Sequence, residues 1–280
     1  MGWPARAYGR GMPVSPSLSL RGPNRKLLFG AMALLVVAVI AFVVLVRRPS
    51  EATPTTDQTR LGPVILVPGY GGGTDSLDTL AARLRATGRT ATVLKLAGDG
   101  TGDLSVEAGL LKAAVDAALA GGAPSVDVVG YSAGGVVTRL WAKELGGAAH
   151  ARRIVLLGSP NHGTDIAALG ASFGGSLCPA ACQQLAPDSP LLQSLNAGGG
   201  TVAGPQWVSI WTDQDQVVTP PDSARLDGAL NIVVQDVCAD AQVDHGHLPT
   251  DRAMQGLVLR ALAGPLMTAP SAADCTALRS

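Results

Sequence analysis

Charge of one sign is what this sequence of 280 residues lacks: 21 lysines and arginines balance 21 aspartates and glutamates, and charged residues make up only 15%. The basic residues are scattered apart from a small N-terminal excess. No basic stripe exists for a phosphate backbone to follow, which excludes nucleic-acid binding. Histidine and cysteine are scarce, four of each. Cys178 and Cys182 form a C-x3-C pair without a second close pair or a neighbouring histidine couple, which argues against a zinc site, and no cofactor is expected. No internal repeat is visible. One large globular domain with appendages is the simplest reading of a chain of this length that is 47% hydrophobic.

What is present begins with residues 27–46, LLFGAMALLVVAVIAFVVLV, an uncharged run bracketed by Arg25-Lys26 and Arg47-Arg48. At about 1.5 Å per residue a helix of this length spans roughly 30 Å, the thickness of a hydrocarbon core. A soluble core helix is rarely apolar on every face. A cleaved signal peptide has a shorter apolar region ending at small residues, whereas this one runs into Arg-Arg-Pro. An uncleaved signal anchor over 25–48 is the expectation, and secretion follows if the segment is cleaved. Arg6, Arg10, Arg21, Arg25 and Lys26 precede the span against Arg47, Arg48 and Arg60 after it, so the positive-inside bias keeps the N-terminus cytoplasmic. Residues 1–24, rich in Pro, Gly, Ser and Arg, read as a disordered cytoplasmic tail, and 49–60 as a polar tether. The chain is thus expected to be a single-pass membrane protein with 61–280 as an extracytoplasmic domain. Cys178, Cys182, Cys238 and Cys275 all fall on that outward side, where an even count implies two disulfides with three connectivities open.

From residue 61 short apolar runs alternate with amphipathic stretches. Strands are expected at 63–69, 90–96, 125–130, 153–159, 207–211 and 229–234, and helices at 76–86, 105–120, 133–145 and 249–264. Alternation of fully apolar strands with helices predicts an α/β fold, a mostly parallel sheet covered on both faces. The interval 160–206 breaks the pattern, with Gly, Pro and Cys throughout and only 189–196 readable as a helix. A connection this long usually has its own fold or lines a site. Its few bulky apolar residues point to an open cleft rather than a large lid.

G-Y-S-A-G, residues 130–134, falls between an expected strand and an expected helix, the setting of a strained nucleophile elbow. Its glycines leave room for the sharp turn, and the following helix N-terminus favours a developing oxyanion. An unassisted serine hydroxyl is a poor nucleophile, so Ser132 requires a histidine base and a carboxylate to orient it. His150 lies too close to the elbow helix, and His162, at the end of a strand, precedes any late acid. His245 and His247, in VDHGHLPTD, lie after the last strand, where a base belongs. TDQDQVVTP, after strand 207–211, offers Asp213 and Asp215, with Asp222 a lesser third. PGYGGG, 68–73, lets backbone approach a substrate, so the N–H groups of Tyr70 and Ala133 are the expected oxyanion donors.

In VILVPGYGG, VDVVGYSAGG, IVLLGSPNHGT, SIWTDQDQVVTPPDSARL and HGHLPTD the chain resembles the small bacterial lipases and esterases of the α/β-hydrolase fold, the triacylglycerol lipase class, over about residues 62–263. The resemblance implies Ser132 as nucleophile, Asp215 over Asp213 as acid, and His245 over His247 as base, from an H-x-x-L pattern. It implies oxyanion donors at Tyr70 and Ala133, and disulfides pairing Cys178 with Cys182 and Cys238 with Cys275. The first strand ends in Pro-Gly where many relatives have His-Gly, which bears on the loop at Tyr70. The activity implied is two-step hydrolysis of an ester or lipid without a cofactor, membrane contact being made through 27–46 and no protein partner being evident. Acyl transfer or thioester hydrolysis by the same three residues, or a tethered binding protein that has lost activity, are the alternative functions.

Overall fold

The computed structural model describes residues 56, 57, 59–173 and 177–280. The tail at 1–24, the expected membrane span at 27–46 and the tether up to residue 55 lie outside the described residues. Among the described residues no helix is long and apolar enough to cross a membrane.

Six strands, β1 (Val64–Val67), β2 (Ala91–Val93), β3 (Val126–Tyr131), β4 (Ala151–Leu157), β5 (Gln206–Trp211) and β6 (Leu230–Val233), form one sheet in the order β2-β1-β3-β4-β5-β6. Every pairing is parallel. All four residues of β1 and all seven of β4 are buried, which is why these strands read as continuous apolar runs rather than alternations.

Alternate side chains divide between the two faces. Val64, Leu66, Val129, Val155 and Leu157 pack with α1 (Asp75–Ala86) and α8 (Arg252–Ala261). Ile65, Val67, Val128, Ile154 and Leu156 pack with α2 (Leu104–Ala120) and α3 (Ala133–Glu144). The side-chain period of two along a strand produces this sorting. Helix starts are fixed locally: the Asp103 carboxylate accepts from Ser105 N–H at 2.8 Å to open α2, and that of Asp251 from Met254 N–H at 3.0 Å to open α8.

The 160–206 interval departs from expectation by two further helices, α4 (Asp165–Phe173) and α5 (Ala180–Gln184), ahead of the helix expected at 189–196, α6 (Pro190–Asn196). Ser189 caps α6 with Pro190 in its first turn, and the Cys178–Cys182 disulfide straddles the start of α5. A short α7 (Val234–Val237) directly continues β6, and the Cys238–Cys275 disulfide ties its end to α9 (Cys275–Leu278). Both pairings are those the resemblance implies.

At the sheet's N-terminal rim Asp127, fully buried, accepts from Arg89 Nη2 at 2.5 Å and Arg152 Nη2 at 2.6 Å. Both arginines also donate to the Leu262 carbonyl just past α8, so one carboxylate joins β3, β4 and the closing helix. Asp127→Ala would leave two guanidinium groups without their anion. It is expected to lower unfolding free energy by about 3–5 kcal/mol in a urea titration, whereas a change within experimental error would contradict this account of the rim.

Candidate active site

At the opposite, C-terminal rim, β3 turns into α3 at Ser132, whose φ of 53° and ψ of −127° make it the one non-glycine residue with positive φ among the described residues. Such a conformation costs about 1–3 kcal/mol and persists only where the surroundings impose it. Here Ser132 N–H donates to Leu157 O at 2.8 Å, and its carbonyl accepts from Gly135 N–H at 2.9 Å. The flanking glycines are steric requirements. A Cβ on Gly130 would lie 2.6 Å from the Gly135 Cα; one on Gly134 would strike the Val67 and Pro68 carbonyls; one on Gly135 would strike Ser159. The third of these is invisible in sequence, because the segment just after β4 supplies the obstacle.

Ser132 Oγ lies 3.0 Å from His245 Nε2, and His245 Nδ1 lies 2.7 Å from Asp215 Oδ2. These three residues come from the ends of β3 and β5 and from a 3₁₀ turn at 245–247 that follows β6 and α7. The other Asp215 oxygen accepts from Val217 N–H at 2.9 Å and Val218 N–H at 2.8 Å. Asp215 is 4% and His245 7% exposed, so solvent does little to compete for their hydrogen bond. Gly158, with φ of 51°, ends β4 beneath the pair, where a Cβ would lie 3.4 Å from both Asp215 Oδ2 and His245 Nδ1 and would strike Leu248. Sequence reading attached no role to Gly158, since only the folded chain brings both side chains over it.

The alternative residues lie elsewhere. The His247 side chain is 72% exposed and its Nδ1 is 2.7 Å from Asp244 Oδ1. Asp213 is exposed, its backbone N–H donating to Gln235 Oε1 at 3.1 Å. Asp222 is exposed in a 3₁₀ turn. His162 is exposed with Nδ1 3.4 Å from Asn196 Nδ2, and His150 is exposed just before β4.

The loop after β1 presses on the elbow so closely that a Cβ on Gly69 would come within 2.9 Å of Ser132 Cβ. Within that loop the N–H groups of Gly71 and Gly72 donate to Gly100 O and Gly69 O. Those of Tyr70 and Ala133 donate to no protein acceptor among the described residues. Ala133 is the first residue of α3, where helix N–H groups have no intrahelical partner.

A cavity of about 310 Å³ opens at Ser132, lined among others by Tyr70, Ile166, Leu177, Leu185 and Val218. Most of the apolar wall comes from 164–185, with Cys182 of the disulfide among the lining residues. The segment that breaks the sheet-and-helix alternation therefore builds the cavity beside Ser132, and Ile166 and Leu177 are more than half exposed at this cavity.

Residues 113–248 match the family model described as lipase (class 2). In fold the chain is similar to lipase B of Aspergillus fumigatus, with a TM-score of 0.64 and 18% identity, covering 82% of this chain and 58% of that one. It is also similar to the mature form of the Bacillus licheniformis lipase BlEst2, with a TM-score of 0.59 and 18% identity, covering 77% and 96% of the respective chains. The chain thus spans under two thirds of the Aspergillus protein's length and nearly all of the Bacillus one. No curated protein matches it. The six-stranded parallel sheet gives the chain an α/β-hydrolase fold, and over residues 113–248 the chain is similar to class 2 lipases.

Proposed function

We propose that the chain hydrolyses carboxylic esters of the lipid type through an acyl-enzyme formed on Ser132. The reading rests above all on the hydrogen-bonded series Ser132, His245, Asp215 at the mouth of an apolar cavity. His245 Nε2 takes the Ser132 proton as Oγ attacks the ester carbonyl, and Asp215 stabilises the resulting imidazolium through Nδ1. The oxyanion is held by the N–H groups of Tyr70 and Ala133. Collapse of the intermediate passes the proton from His245 to the leaving alcohol, and water then repeats the sequence to release the acid. The catalytic domain, 61–280, works outside the cytoplasm, tethered by the span at 27–46. Two disulfides among four cysteines fit such an oxidising compartment. Acyl transfer to an alcohol would use the same groups, and product analysis with a competing alcohol separates it from hydrolysis.

The open apolar cavity of about 310 Å³ beside Ser132 receives the acyl chain, and added methylenes are covered along its apolar wall. The test is hydrolysis of p-nitrophenyl esters of increasing length by the full-length protein in detergent. kcat/KM is expected to rise from the acetate to medium-length esters as the chain covers the apolar wall. A profile that is flat or falls from the acetate to the octanoate would contradict acyl binding in this cavity, and absence of hydrolysis at every length would contradict the proposed activity.

A further inference from the structure

Tyr131, between Gly130 and Ser132, has no part in the mechanism above. Its ring stacks on the His245 imidazole, with centroids 5.3 Å apart and planes 30° from parallel. Its hydroxyl donates to the His245 carbonyl oxygen at 3.0 Å. One side chain thus restrains both the imidazole, across a face that Asp215 does not touch, and the backbone carrying it. Burial, with the negative charges of Asp215 and Asp244 adding to it, pushes the Tyr131 phenol up to about 12. The hydroxyl therefore stays protonated and donating throughout neutral pH.

Building on the mechanism above, we propose that Tyr131 is a positioning residue that fixes His245 between Ser132 and Asp215 and stabilises the imidazolium formed during acyl transfer. Tyr131 and Ser132 are consecutive, so any displacement of the elbow carries the nucleophile and the restraint on its base together. No proton passes through Tyr131: it moves from Ser132 Oγ to His245 Nε2 and back to the leaving group. The stacked phenol ring presents its electron-rich face to the imidazolium that forms as the proton leaves Ser132. The polar and charged groups around His245 are Asp215 at Nδ1, Ser132 at Nε2, Tyr131 across the ring and Asp244 one residue before it. Only Tyr131 is altered in the test below.

kcat and KM for p-nitrophenyl butyrate, from about pH 5 to 9, separate the two contributions in full-length wild type, Tyr131→Phe and Tyr131→Leu. The phenylalanine variant keeps the ring and loses one hydrogen bond: kcat is expected to fall about 3- to 10-fold with KM and the acid limb unchanged. The leucine variant loses both restraints. Its kcat is expected to fall about 100-fold, with the acid limb of kcat/KM displaced downward in pH. Should Tyr131→Leu fail to fold by thermal unfolding, Tyr131→Met carries the same comparison. An acid limb that does not move in the aliphatic variant, whatever happens to kcat, reduces Tyr131 to a structural residue and overturns the proposal. Failure of the mechanism itself is distinguishable, because the wild type would then not hydrolyse the ester at all.

Discussion

Ser132→Ala is expected to reduce kcat for ester hydrolysis about a million-fold, to the level that binding and oxyanion contacts alone sustain. Stability should barely change, since alanine inherits the same positive φ and removes one exposed-side hydrogen bond to His245. Ser132→Gly should be equally inactive yet more stable than wild type. Relief of the backbone conformation returns about 1–3 kcal/mol, against about 0.4–1 kcal/mol of extra unfolded-chain entropy. The strain is the larger quantity, so the melting temperature is expected to rise by about 2–4 °C. Loss of activity with gain of stability at one position would mark a conformation kept for chemistry. A glycine variant melting below wild type would mean that the elbow is not strained and that its φ of 53° is comfortable in this setting.

The second large effect distinguishes two histidines two residues apart. His245→Ala is expected to abolish hydrolysis to the same extent as Ser132→Ala, because nucleophile and base act as a unit and their losses do not add. His247→Ala should keep activity within about twofold, as an exposed surface substitution ordinarily does. The geometry behind this asymmetry is plain: the His245 ring bridges Ser132 Oγ and Asp215 Oδ2, whereas the exposed His247 ring reaches only Asp244. The double variant Ser132→Ala/His245→Ala should be no slower than either single one. Equal impairment by the two histidine substitutions would contradict the assignment of the base.

Much of the fold is legible in the sequence because a parallel sheet buried on both faces writes its strands as uninterrupted apolar runs. The run at 63–69 contains β1, that at 153–159 overlaps β4, and the helix expected at 105–120 occupies Leu104–Ala120. Boundaries are less legible where one element passes directly into the next. The strand expected to run to 234 yields to α7 at that residue, and the closing helix, expected from 249, starts only after the Asp251 cap. Helices α4 and α5 could not be read at all. Gly170 within α4 looks like a breaker, yet a Cβ there would lie 3.0 Å from Cys182 Sγ. It is small because a disulfide packs against it.

The site was legible in its types and less so in its choices. The elbow motif singles out Ser132, while the residues by themselves leave two aspartates and two histidines open. Asp215 is held locally, by the backbone N–H groups of Val217 and Val218 two and three residues on, whereas His245 is held by a long-range contact, the ring of Tyr131 laid against it. The Tyr131 contact has no signature in local sequence, since it depends on where separate elements end.

The most direct measurement is mass spectrometry of the full-length protein after reaction with a fluorophosphonate, followed by proteolysis to locate the adduct. The account predicts one adduct per chain, on the peptide containing Ser132, formed by the wild type and by His247→Ala but not at a measurable rate by His245→Ala. A folded wild type that stays unlabelled, or an adduct on a different side chain, would contradict it.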